Sequence, residues 1–139
     1  MSDRGLRLPR ALGEAIRAHA RETYPLECCG FLIGSPAAHT VSELVRASNA
    51  REDSPHNRYL IPPVEFVRAQ RDADRRGLEI VGFYHSHPDH PARPSAYDQA
   101  HAWAGYAYLI VAVAQGEPAE LAGWTLEGSE MTALPLEED

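Results

Sequence analysis

Apolar positions along the chain follow a helical spacing in some stretches and short unbroken runs in others. Pro9 to Thr23 carries Leu12, Ile16 and His19 at helical spacing. Pro9 suits the first turn, where its missing N–H costs nothing. Tyr24-Pro25 stops this helix, because the residue before a proline is pushed out of the α region. Cys28 to Ile33 is a short apolar run closed by Gly34-Ser35-Pro36, which predicts a buried strand. Thr40 to Ala47, with Val41, Leu44 and Val45, predicts another. Asn49 to Asn57 is polar, contains Pro55 and reads as a loop. Pro62 to Arg76 predicts a second helix with Val64, Val67 and Ala73 turned inward, ended by Gly77.

Glu79 to His87 reads as a strand that leaves the core for the surface. Pro88, Pro91 and Pro94 make the next stretch an irregular, rigid loop. Ser95 begins a third helix over about 96–104, and Tyr106 to Ala114 is a central strand. Gly116-Glu117-Pro118 turns the chain, and Leu121 to Leu126 and Met131 to Leu136 are the last strands. Helices and strands alternate, then strands finish the chain. That order predicts an α/β sandwich around one mixed sheet.

Composition narrows the classes. The 139 residues are enough for one domain. With 44% apolar and 24% charged residues the chain has a globular balance. Its formal charge is −7, and all 13 basic residues are arginine, with no lysine. Such a chain is a poor partner for nucleic acid or an anionic membrane, both of which select clustered cations. Met1 to Ala20 has no apolar core of a signal peptide, and the run Ala102 to Ala114 is too short to span a bilayer. Cys28 and Cys29 are adjacent, so no disulfide framework is expected, and a cytoplasmic location is the default.

The chemistry concentrates in His85-Ser86-His87-Pro88, followed by Ser95 and Asp98. Residues two apart on a strand face one side, so the His85 and His87 rings can converge at a strand's carboxyl end. Asp98, in the first turn of the next helix, can be brought back over that end. Two imidazoles and a carboxylate form a plausible three-ligand zinc set with a fourth position open. A His-x-His alone arises by chance in roughly one such chain in three, and fits two solvated histidines equally well. With Ser and Asp at their offsets the chance falls to roughly one in a thousand. Ser95-x-x-Asp98 is also a helix capping box, a reading compatible with the first.

The spacing of His85, His87, Ser95 and Asp98 resembles the signature of the JAMM/MPN+ metalloproteases. Tyr24-Pro25-Leu26-Glu27-Cys28-Cys29-Gly30 and His85-Ser86-His87-Pro88-Asp89-His90-Pro91 are similar to the short prokaryotic members. The resemblance covers the chain from the first helix to Ala114. It implies a cytidine deaminase-like MPN sandwich, a curved mixed sheet flanked by helices. It implies one Zn²⁺ held by His85, His87 and Asp98, with Glu27 as general base toward the attacking water and Ser95 as donor to the oxyanion. It further implies an (iso)peptidase acting after the C-terminal Gly-Gly of a ubiquitin-like or sulfur-carrier protein, releasing it from lysine, cysteine or a C-terminal extension. Motif-lacking relatives act as noncatalytic binding modules, and the intact set argues against that alternative. Nucleoside deaminases use His-x-Glu and Pro-Cys-x-x-Cys, which this chain lacks.

The remaining candidates have plainer readings. Glu27 by itself fits a solvent-facing carboxylate, and Cys28 and Cys29 fit buried thiols, with Cys29 on the Glu27 side by strand alternation. His56 and His90 read as solvated loop residues, and His19, His39 and His101 have no partner pattern. Arg51, Arg58, Arg68, Arg71, Arg75 and Arg76 read as a solvated face. A chain without lysine offers no target for lysine conjugation, and arginine-rich codon usage explains the same absence. The sequence leaves open whether the chain forms a homodimer.

Overall fold

The computed structural model of the chain describes residues 5–49 and 61–139. The predicted loop after Asn49, with Arg51, His56 and Arg58, lies outside the described residues. The elements run β1 (Leu6–Leu8), α1 (Arg10–Thr23), β2 (Cys29–Ser35), β3 (Thr40–Ala47), α2 (Pro63–Arg75), β4 (Glu79–Pro88), α3 (Ala96–His101), β5 (Ala107–Ala114), β6 (Glu117–Glu127), β7 (Glu130–Leu134) and β8 (Leu136–Glu138). The strands form one mixed sheet in the order β7-β6-β5-β4-β2-β3-β1-β8. The fold is the expected α/β arrangement, with the sheet curved almost into a barrel. β7 and β8 lie at opposite edges of the ladder although only Pro135 separates them in sequence.

Two apolar clusters form on the two faces. Ile16 and Ala20 of α1 join Leu32, Val41, Leu109, Val111 and Val113 on one. Ala69 and Ala73 of α2 join Phe31, Ile33, Phe83 and Tyr108 on the other. The period-2 alternation of β5 divides its side chains between them. α2 differs from expectation. Its inward residues are Phe66, Ala69 and Ala73, whereas Val64 and Val67 are 60% and 45% exposed. The aromatic ring at Phe66 fixes the phase of the helix by packing on Phe31 and Phe83.

Other differences are local. β1 is only three residues long and was not anticipated. α3 ends at His101, and β6 starts at Glu117, so the turn is limited to Gln115 and Gly116. Pro135, which has no N–H for a ladder, divides the last predicted strand in two. β4 does not run out to the surface: every residue from Val81 to Pro88 is buried. It is sandwiched between antiparallel β2 and parallel β5 along most of its length. Among the described residues, no helix is long and apolar enough to cross a membrane.

Gly82 shows how tightly β4 is seated. A Cβ there would fall on the backbone carbonyl of Ala107 in β5. Backbone cannot yield as a flexible side chain can. Gly82→Ala is expected to destabilise the protein by ~2 kcal/mol or more, read as a lower denaturant midpoint at unchanged slope.

Candidate metal centre

β4 delivers His85 and His87 to one side of the sheet, two residues apart. His85 is directly opposite Cys29 of β2 and Ile110 of β5, and His87 is opposite Ala112 of β5. The third member comes from α3. Ser95 is the N-cap, and its Oγ accepts the Asp98 N–H at 3.0 Å. The Asp98 carboxylate accepts the Ser95 N–H at 2.9 Å. This reciprocal box pins the first turn and turns Asp98 Oδ2 toward the histidines. The capping and ligand readings therefore coexist on the same residues.

Three atoms converge. His85 Nε2 lies 3.2 Å from His87 Nε2, and Asp98 Oδ2 lies 3.3 and 3.0 Å from them. Three ligands of a tetrahedral zinc at about 2.0–2.1 Å stand about 3.3 Å apart, so the donor set fits such an ion in both spacing and chemistry. His85 and His87 are 2% and 6% exposed, and the Asp98 side chain is 8% exposed. Among the described residues this is the one group of His, Cys, Asp or Glu able to hold a metal ion.

Hydrogen bonding orders the rim. His87 Nδ1 donates to the Pro91 carbonyl at 2.8 Å, which leaves a lone pair on Nε2 when the ring is neutral. Asp89, at positive φ, takes the Tyr24 hydroxyl and the Gln115 N–H at 2.7 Å each. The loop after β4 is thus tied to the segment leading into β2 and to the turn after β5. Ser86, fully buried, accepts the Cys28 N–H on Oγ at 2.8 Å and donates its own N–H to the Cys28 carbonyl at 3.2 Å. That two-point clasp fastens Glu27's neighbour to the residue between the two histidines. Ser86 sits inside the motif, yet its type carried no sign of this role. Asp89 and Tyr24 had no local signal at all.

Glu27 precedes β2 and is 4% exposed, not solvent-facing. Its Oε1 is buried without a hydrogen-bond partner. Burial, with the charge of Asp98 added, pushes its carboxyl up to about 9. Asp98 moves the other way. Burial alone would raise it, but the adjoining His85 and His87 rings and the Ser95 N–H hold it well below the usual range. Burial lowers the His85 ring below its ordinary value, against the pull of Asp98. A buried carboxyl oxygen lacking a partner, near enough to Asp98 to feel its charge, suits the neighbourhood of a cation.

The other candidates fall away from the centre. Cys28 and Cys29 are free and buried, and burial pushes the Cys28 thiol up to about 11 and Cys29 further. Cys29 Sγ donates to the Ser48 carbonyl at 3.5 Å. His19 has a partner after all, the Tyr84 hydroxyl at 2.8 Å, and burial lowers it to about 4. His90 is exposed, and His101 stacks on Tyr97. Arg76 pairs with Glu43 and Asp72 on the surface, and Arg75 with Asp72. An apolar cavity of about 350 Å³ adjoins His85 and Asp98, walled by Phe66, Phe83, Trp103, Tyr108 and Met131.

The raised Glu27 carboxyl makes a signed prediction. Unfolded, the group loses its proton near 4.5; folded and metal-free, it keeps the proton up to about 9. Ionisation therefore favours the unfolded state, and stability falls as pH rises between those values. Chelator-stripped protein should lose roughly 1 kcal/mol per pH unit in that window relative to Glu27→Gln, by denaturant titration at several pH values.

Comparison with known proteins gives the family. A family model described as prokaryotic homologs of the JAB domain matches residues 9–127. A desampylase of Haloferax volcanii is 38% identical over 115 residues, covering 79% of this chain and 82% of the relative. A probable TtuB-protein conjugate cleaving protease of Thermus thermophilus is 36% identical over 93 residues, 67% of this chain and 60% of the relative. The crystal structure of a JAB1/MPN domain protein from Archaeoglobus fulgidus superposes with a TM-score of 0.60 at 21% identity, covering 94% of this chain and 95% of the other, a likeness of fold. The chain belongs to the prokaryotic JAB-domain family, the JAMM/MPN+ group to which its His85, His87, Ser95 and Asp98 spacing pointed.

Proposed function

We propose that the protein is a zinc-dependent (iso)peptidase. Its substrate is a ubiquitin-like or sulfur-carrier protein, cut after a C-terminal Gly-Gly. The observation that carries the reading is the buried triangle of His85 Nε2, His87 Nε2 and Asp98 Oδ2, with edges of 3.0–3.3 Å. Relatives named for desampylation and for conjugate cleavage support the substrate class. A location in the cytoplasm belongs to the same reading.

His85, His87 and Asp98 would hold the ion. Bound zinc supplies Lewis acidity, which polarises a carbonyl and lowers the pKa of water toward ~7. Glu27 takes the proton of the attacking water on its carboxylate and returns it to the leaving amine. A positive charge nearby brings its raised pKa down, so that it can act as base at neutral pH. Ser95 Oγ accepts from the Asp98 N–H, and its own O–H remains to donate to the developing oxyanion. Burial of the triangle keeps bulk water from competing with these few groups. A glycine tail suits the site because only glycine lets backbone approach so closely.

Two measurements test the reading. The protein should bind one zinc per chain, and a chelator should abolish cleavage of a carrier joined through Gly-Gly to lysine, with recovery on adding zinc. Asp98→Ala should lose both zinc and activity. Glu27→Gln should keep the zinc and lose about 10²–10⁴-fold in kcat. Absence of stoichiometric zinc, or a fully active Glu27→Gln variant, would refute it.

A further inference from the structure

We propose that Trp124 is a positioning residue for His87: its indole N–H holds the loop whose carbonyl decides which nitrogen of the His87 ring faces the site. Trp124 lies on β6, opposite Tyr108 of β5 and Ala133 of β7. Its Nε1–H donates to the Ala92 carbonyl at 3.0 Å. The preceding carbonyl, that of Pro91, accepts from His87 Nδ1 at 2.8 Å. One peptide unit joins the two acceptors.

The middle of the loop, Pro91 to Arg93, has few other bonds. Pro91 and Pro94 have no N–H. Among the described residues, the N–H groups of Ala92 and Arg93 donate to no protein acceptor. Asp89 anchors the start of the loop and the Ser95 cap its end; between them, at Pro91 to Arg93, the restraints beyond the His87 bond itself are the indole bond and the Ala92 methyl, buried at 1% exposure.

Fixing that carbonyl matters because a neutral imidazole has one N–H and His87 has two acceptors. The Pro91 carbonyl lies 2.8 Å from Nδ1, and Asp98 Oδ2 lies 3.0 Å from Nε2. A proton on Nδ1 leaves a lone pair directed at the triangle. A proton on Nε2 satisfies Asp98 and removes His87 as a donor atom. A loop that swings away gives the proton to Asp98's side. Trp124 thus biases the competition toward the ligating tautomer through the loop, its indole N–H bonding Ala92 and not His87.

The test uses Trp124→Phe, which keeps an aromatic ring on β6 and removes the N–H together with part of the indole. Chelator-stripped wild-type protein at pH 8 should carry the His87 proton on Nδ1 by nitrogen-detected histidine NMR, and the variant should shift it toward Nε2. Zinc affinity, by competition with a chromophoric chelator, should fall roughly tenfold. The smaller ring will lower the melting temperature of the metal-free protein by lost packing, so stability is measured as the control and does not decide the proposal. An unchanged tautomer with unchanged affinity overturns the proposal, even if the variant melts lower, since that is a purely structural effect. The zinc arm rests on the ligand reading above. Wild-type protein that binds no zinc would count against that reading, while the tautomer comparison still decides this one. Should the variant not fold, hydrogen exchange in the wild type decides. The Trp124 indole and His87 Nδ1 protons should exchange together and slowly; an indole proton that exchanges freely overturns the proposal.

Discussion

Two imidazole nitrogens and a carboxylate oxygen, converging to within 3.0–3.3 Å of one another, are the constraint around which this protein is arranged. In water such a cluster would drift apart or be solvated. Here it is buried, so neither relief is open, and the groups are held by structure on all sides. β4 is clamped between β2 and β5. Asp98 is locked into the first turn of α3 by reciprocal bonds with Ser95. The loop between them is tied down through Asp89, Pro91 and Ala92. Each device answers the same demand, which is to hold electron-rich atoms together until something positive shares them.

The same burial separates two carboxyl groups by role. Asp98 receives hydrogen bonds and stays ionised, while Glu27 has a buried oxygen without a partner and holds its proton. Environments that drive two acids apart are how one site supplies both a permanent charge and a movable proton. Ser86 ties Glu27's segment to the histidine strand, since it lies between the histidines and clasps Cys28 beside Glu27. A change in the reach of that clasp would move the proton-carrying group relative to the triangle without touching either.

Much of this was legible in the sequence because it rests on local periodicities. Period 2 on a strand puts His85 and His87 together, and the Ser95 to Asp98 offset is that of a capping box, so both placements follow from backbone geometry. What was not legible depends on partners remote in the chain. Trp124 and Ala92 lie 32 residues apart, and Tyr24 and Asp89 lie 65 apart. Such bonds exist only once the sheet has set its register. The phase of α2 was misread for a related reason. Val64 and Val67 are apolar at helical spacing, but Phe66 offers more area to bury against Phe31 and Phe83, and the larger ring wins. β4 reads as leaving the core because histidine is polar, whereas a polar ring with structural partners stays inside.

The near-closure of the sheet has a mechanical side. β8 runs parallel to β1, pairing Leu6 with Leu136, Arg7 with Glu137 and Leu8 with Glu138. Tension that draws the start of β1 and the end of β8 in opposite directions loads these bonds in shear, all at once, not one by one. The Arg17–Glu138 ion pair and the bond from the Arg10 N–H to the Asp139 carbonyl share that load with α1. β4 sits four places from β8 in the ladder, with β2, β3 and β1 between. Strain entering through those flanking strands is therefore resisted at the seam before it reaches the strand that carries His85 and His87.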